Sequence, residues 1–347
     1  MEIIDRIRET ETADAYLLTS VENVAYATGF TGDSSQLLIS AYGEYFFTDS
    51  RYEELARNEI SPSIEIISTG GANRVLAIAS KLRDCRRLGI EKQDVTIGVF
   101  EAYRDAFNEV EYIDLSQFLL TMRMIKSENE IEKIRKAARA NEIALEETLP
   151  LIKPGISELD IRAELEYRMK KQGMDLAFST IAAAGMNSAI PHATPSSYKI
   201  CDGDFLTLDF GCRFEGYCSD ITRTFGVGNI DGQRKKIYDI VKEAQQSAAD
   251  AAQVGADTRE IDFIARDLIH KNGYGAYYDH GTGHGVGRQI HELPILNPRF
   301  SYILEKNMVF TVEPGIYVPG IGGVRIEDTL VAGFGSVYTF SKELILL

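Results

Sequence analysis

Residues 154–174 read PGISELDIRAELEYRMKKQGM, and residues 254–274 read VGADTREIDFIARDLIHKNGY. The two segments begin about a hundred residues apart and are built alike. In each, a glycine (Gly155, Gly255) precedes an N-cap candidate, an amphipathic run follows, and a second glycine (Gly173, Gly273) offers a C-cap. A long helical pattern precedes each segment. The parallel continues downstream: Asp209 is followed two residues later by Gly211 and Glu313 by Gly315, while Asp220 is followed by Thr222 and Glu327 by Thr329. Chance agreement among common residue types is the plainer reading. Against it, several features share one offset. The sequence therefore predicts a duplicated unit of helix, helix and strand ribbon, each copy delivering two acids.

Outward from this repeat, the 347 residues suggest two domains. The first part alternates strand-like runs (AYLLTS, QLLIS, EYFFTD, IEIIS) with helical ones (RYEELARNE and Asn73 to Lys81), which predicts an α/β domain. Near Met124 the character changes. The run from Lys126 to Gly155 predicts one long amphipathic helix, capped by Ser127 with Glu130 as capping box and ended by Pro154-Gly155. We place the division at 1–122 and 123–347, with an α+β C-terminal domain.

Composition narrows the function. A net charge of −15 argues against nucleic acid and against anionic membrane surfaces. No stretch is apolar enough for a membrane span, and the N-terminal MEIIDRIRETE has no signal-peptide core. Cys85, Cys201, Cys212 and Cys218 form no C-x-x-C pair and are expected to be free thiols. Cys212 and Cys218 could ligate zinc, but no second pair accompanies them. A cytoplasmic protein is expected.

The stretch 204–225, DFLTLDFGCRFEGYCSDITRTF, predicts a hairpin turning at Phe214 and Glu215. Asp209 lies in an apolar run, where an unpartnered carboxylate is costly. In such a hairpin Asp209 and Asp220 would face each other on one side. Glu313 ends another apolar strand, and Glu327 shares a face with Arg325. A plain ion pair could account for Arg325 and Glu327, although four acids at apolar strand ends weaken that reading. In DHGTGHGVGRQIHELP (279–294), Val286 and Arg288 occupy places where a dinucleotide loop needs glycine. The glycines instead let backbone approach closely while His284 points inward. One imidazole and four carboxylates make a hard site suited to two divalent ions, with Mn, Co, Zn or Fe compatible. His192, in NSAIPHATPSS, reads equally as a loop residue or a substrate ligand. His270, at a helix C-terminus, reads as structural.

With Asp209-x10-Asp220, His284 in GTGHGVG, Glu313 in EPG and Glu327 in RIED, the chain resembles the family of methionine aminopeptidase, aminopeptidase P, prolidase and creatinase. His192 in PHATPS, His280, His291 in HELP, Tyr317 and Arg325 also fit its spacings. The resemblance runs from about residue 125 to the C-terminus, and more weakly over an N-terminal creatinase-like domain. It implies a pita-bread catalytic domain holding two divalent ions, manganese foremost, which share a hydroxide. By this resemblance Asp209 chelates one ion, His284 and Glu313 bind the other, and Asp220 and Glu327 bridge. His192 and His291 would contact the scissile carbonyl and the tetrahedral intermediate, Glu313 would handle protons, and His280, Tyr317 and Arg325 would shape the site. The N-terminal domain implies the proline-selective branch, acting on peptides with proline second and assembling as a homodimer. Size and the segment YATGFTGDSS favour an aminopeptidase P, with prolidase the alternative. A peptide-binding relative without activity is a further reading, disfavoured because all five ligands are present, and so is a metal-free amidinohydrolase. Ala184 and Met186 stand where proline-selective relatives often have Ser and Pro.

Overall fold

The computed structural model describes residues 2–70, 72–107 and 109–347. The chain divides into two compact units, Met1–Met122 and Arg123–Leu347.

In the first unit, helices α1 (Glu2–Arg8), α2 (Val21–Thr28), α3 (Glu53–Glu59), α4 (Ala72–Lys81) and α5 (Ile97–Ala106) alternate with strands. These are β1 (Ala15–Leu18), β2 (Ser35–Ser40), β3 (Gly43–Thr48), β4 (Glu65–Ser68), β5 (Arg87–Ile90) and β6 (Glu111–Asp114). They form one mixed sheet in the order β4-β3-β2-β1-β5-β6. Side-chain alternation sorts them between two cores: Tyr16, Leu18, Leu37, Ile39 and Phe46 into one, Ala15, Leu17, Leu38, Tyr45 and Phe47 into the other. Apolar residues on both faces mean a sheet covered on both sides, which is why these strands read as continuous apolar runs. The buried carboxylate of Glu91 anchors the start of α2, accepting from the Thr19 and Ser20 amides at 2.5 and 3.0 Å and from Ser20 Oγ at 2.7 Å.

Helix α6 (Ser116–Met124) spans the division between units, and α7 (Glu128–Thr148) opens the second with the Ser127–Glu130 capping box in place. The α-helix ends at Thr148, earlier than the expected stop at Pro154-Gly155. Pro150 lies in a 3-10 turn over Leu149–Leu151, because its ring cannot follow an intact α-helical turn.

The duplication is structural. Helix α8 (Glu158–Lys171) packs on α7, and α10 (Thr258–Lys271) packs on α9 (Gly232–Ala251). Gly155 and Gly173 have φ of +94° and +78°, and Gly255 and Gly273 have +93° and +87°. Gly155 N donates to Ile200 O and Gly255 N to Leu304 O, each at the entry to the second helix. Ser157 caps α8 and Asp257 caps α10.

Each helix pair feeds a set of strands. After α8 come β7 (Asp175–Leu176), β8 (Ile181–Ala184), β9 (Phe205–Phe210), β10 (Cys212–Phe214), β11 (Tyr217–Cys218) and β12 (Ile221–Gly226). After α10 come β13 (Gly283–Gly285), β14 (Glu292–Leu296), β15 (Val309–Val312), β16 (Gly315–Val318), β17 (Gly322–Arg325), β18 (Asp328–Val331) and β19 (Gly335–Ser336). The order β12-β9-β8 in one sheet is matched by β18-β15-β13 within the other.

The register differs from expectation at one point. Phe214 pairs with Tyr217, so the hairpin turns at Glu215-Gly216, whose φ values of +46° and +82° suit a two-residue turn. Asp209 therefore pairs with Thr222. Asp220 lies diagonal to it, two residues along the ladder, and a shift of two keeps both on one face. In the second copy Val312 pairs with Asp328, so the next residues outward, Glu313 and Glu327, stand opposite each other.

Candidate metal centre

Each acid stands where an apolar strand ends or turns. Asp209 is on β9, Asp220 just before β12, Glu313 just after β15 and Glu327 just before β18. His284 is the middle residue of β13, flanked by Gly283 and Gly285. A Cβ on Gly283 would lie 2.0 Å from Thr311 O, and one on Gly285 would lie 2.1 Å from Leu293 O. Only glycine therefore lets β13 lie close enough to deliver the imidazole among the acids.

Asp209, Asp220, His284, Glu313 and Glu327 line one cavity of about 640 Å³, together with His192, His280, His291 and Arg325. Asp220, His284 and Glu327 each offer a ligand atom within 4.8 Å of the others. His284 Nε2 is 3.3 Å from Glu313 Oε1 and 3.6 Å from Asp220 Oδ2. Asp209 and Glu313 both stand outside that group of three, and Asp209 Oδ2 accepts from Arg325 Nη2 at 2.5 Å. Tyr317 accepts from Arg325 Nη1 at 2.9 Å and sits 2.9 Å from His280 Nε2. The rings of His284 and His291 meet edge to face at 4.3 Å.

These groups fit a cation. His284 Nδ1 lies 3.0 Å from the Gly285 carbonyl, which cannot donate, so the ring proton belongs there and the Nε2 lone pair faces the carboxylates. A lone pair aimed at ionised carboxylates is repulsive, and a cation held between them relieves that repulsion. Asp209 Oδ1, Asp220 Oδ1 and Glu327 Oε1 are buried with no hydrogen-bond partner. Burial, and then the charges of Glu327, Asp209 and Glu313, push Asp220 well above the usual carboxylate range. Burial first, then Glu313 and Asp209, does the same to Glu327. Glu313 is pushed up to about 7, mainly by burial. Four carboxylates that disfavour one another's charge are what divalent cations neutralise.

The imidazoles and the arginine complete the electrostatics. Burial pulls His280 and His291 down to about 4, and lowers His284. Burial opposes charge on Arg325 too, but Tyr317, Asp209 and Glu313 more than offset it and hold its pKa well above the ordinary value.

Several supporting residues carry no sequence motif. Thr222 Oγ1 donates to Glu327 at 2.6 Å, and Thr311 Oγ1 to Glu313 at 3.1 Å. The repeat already marked Thr222 as the residue two beyond Asp220; for Thr311, two residues before Glu313, strand alternation was the available signal. The fully buried carboxylate of Glu158 accepts from Ala184 N at 2.7 Å, Ser196 N at 2.8 Å and Ser196 Oγ at 2.6 Å, and so braces both ends of the loop carrying His192. On α10, Asp262 accepts from the Thr282 amide at 3.1 Å, and Arg266 donates to the His280 carbonyl at 2.9 Å. Beside His291, Glu292 is buried between Arg123 and Lys126.

Residues 132–333 match the description Metallopeptidase family M24, and residues 2–125 match Creatinase/Prolidase N-terminal domain. The chain belongs to metallopeptidase family M24. It is 42% identical over 339 residues to the Bacillus subtilis protein named uncharacterized peptidase YqhT, covering 96% of each. The Xaa-Pro dipeptidase from Bacillus anthracis superposes with a TM-score of 0.95 at 40% identity, covering 100% of this chain and 99% of that one. The X-Pro aminopeptidase from Thermotoga maritima gives 0.88 at 35% identity, covering 96% and 98%. The architecture of a creatinase-type N-terminal unit followed by a pita-bread catalytic unit is thus shared with solved peptidases.

Proposed function

We propose that this chain hydrolyses the bond between the first residue of a peptide and a proline in second place, using two divalent cations held by Asp209, Asp220, His284, Glu313 and Glu327. The observation that carries this reading is the set of buried, unpartnered carboxylate oxygens around the His284 lone pair. When bound, such ions supply Lewis-acid polarisation and lower the pKa of water. The protein's own groups do the rest. Glu313, which lines the cavity beside His284, takes a proton from the attacking water and returns it to the leaving proline nitrogen. His291 and His192 line the cavity and hold the carbonyl, and at neutral pH a neutral His291 donates a hydrogen bond as negative charge develops on that oxygen. Arg325 fixes Asp209 and, through Tyr317, His280.

The dipeptide is the proposed preferred length. Support comes from the higher structural likeness to the Bacillus anthracis dipeptidase than to the Thermotoga maritima aminopeptidase, against the aminopeptidase lean of size and segment length. Manganese is proposed as the working ion, because an oxygen-rich set with one imidazole suits it. A cytoplasmic setting is proposed on the free cysteines Cys85, Cys201, Cys212 and Cys218. A homodimer is proposed from the family resemblance. Product analysis on Leu-Pro and Leu-Pro-Gly, with chelator and then with manganese restored, tests the reading. Manganese-dependent release of proline from Leu-Pro is expected. Cleavage of the tripeptide alone would reassign the chain as an aminopeptidase, and turnover of neither would end the Xaa-Pro reading.

A further inference from the structure

Two arginines line the cavity, Arg162 and Arg325. Arg325 is fully engaged: Nη2 donates to Asp209, Nη1 to Tyr317 and the Pro191 carbonyl, and Nε to Thr222. Arg162 is not. Its side chain is 37% exposed, and its ion-pair partner Glu166 lies 4.0 Å away, beyond hydrogen-bond distance. Its Nε is buried without an acceptor. Thr180 lines the same cavity, is 2% exposed, and has a hydroxyl that is also buried without a partner. A cation and a hydroxyl left unsatisfied around one cavity are groups that an anionic oxygen would satisfy.

The fold indicates which part of a substrate reaches them. Helix α8, which carries Arg162, packs against β8. The wall beside it is Phe178–Ile181, and Ile181 pairs with Asp209. Asp209 therefore adjoins this wall through its strand partner Ile181. A peptide whose N-terminal amine is drawn to the acids near Asp209 places the side chain of that same first residue along the wall.

We propose that Arg162, assisted by Thr180, receives a carboxylate on the first residue's side chain, so that Glu-Pro and Asp-Pro are preferred over Gln-Pro and Asn-Pro. This inference rests on the Xaa-Pro reading above. The paired peptides are nearly isosteric, so the comparison isolates charge. A charge-assisted hydrogen bond corresponds to a preference of roughly ten- to a hundred-fold in kcat/KM.

The test uses the full chain loaded with manganese, as wild type, R162Q and R162E, on those four peptides together with Leu-Pro, Leu-Pro amide and Lys-Pro. Wild type should favour each acidic peptide, mainly through KM. R162Q should bring each acid-to-amide pair within about twofold of equality and leave Leu-Pro within about twofold of wild type, while R162E should favour Lys-Pro. Equal wild-type rates on Glu-Pro and Gln-Pro, with Leu-Pro cleaved, overturn the role of Arg162 and leave the Xaa-Pro reading standing. A loss in R162Q on Leu-Pro but not on its amide also overturns it, because Arg162 would then read the C-terminal carboxylate. Absence of turnover on every Xaa-Pro peptide sinks both.

Discussion

Replacing Asp220 by asparagine should stabilise the metal-free protein and remove the stabilisation that divalent ions confer. Asp220 is 4% exposed, has an unpartnered Oδ1, and shares its surroundings with Glu327 and His284 inside 4.8 Å. Two carboxylates at that separation repel by about 3 kcal/mol at an effective dielectric constant near 20. Partial protonation of the set, already indicated by the raised pKa values, limits the gain to about 1–3 kcal/mol. For a unit of this size that is an increase in Tm of about 3–9 °C in chelator. With ion at a hundred times its Kd, wild type should gain about 2.7 kcal/mol, and the variant under about 1 kcal/mol. Calorimetry in chelator and then in excess manganese reads both halves. A variant that melts below wild type in chelator, or gains as much from manganese, would refute the reasoning.

Glu158→Gln keeps shape but weakens the bonds to Ala184 and Ser196, so we expect a loss of about 2–4 kcal/mol and a raised KM from the slackened His192 loop. Urea melts and steady-state kinetics check it, and an unchanged KM would separate Glu158 from that loop. His280 has a folded pKa near 4 against an ordinary 6.5. Below pH 6.5 the unfolded chain binds a proton that the folded chain refuses, so this contribution is present at pH 7 and lost as pH falls toward 4, by about 2 kcal/mol at pH 5. His280→Gln should flatten the pH dependence of the chelated protein by that amount, and parallel profiles would contradict it.

The duplication was legible because it rests on local chemistry. Gly155, Gly173, Gly255 and Gly273 all take positive φ, which glycine supplies and sequence displays. The acids were legible because a carboxylate inside an apolar strand run demands a partner. Helix α7 was read too long because the Pro150 stop was passed over for the more conspicuous Pro154-Gly155. The expected hairpin centre lies one residue early, because the residues that take positive φ and so form the two-residue turn are Glu215 and Gly216. Glu158, Asp262 and the Arg123–Glu292–Lys126 cluster escaped notice for a different reason. Their importance lies in partners between 20 and 169 residues away, brought close only by the fold. Arg162 gave no signal either, since a charged residue on an amphipathic helix reads as solvated.

Anomalous diffraction from crystals grown with manganese tests the central claim most directly. The account predicts two peaks per chain, both ligated only by Asp209, Asp220, His284, Glu313 and Glu327 among the protein's side chains. Density at other residues, or none among these five with manganese in excess, would contradict it.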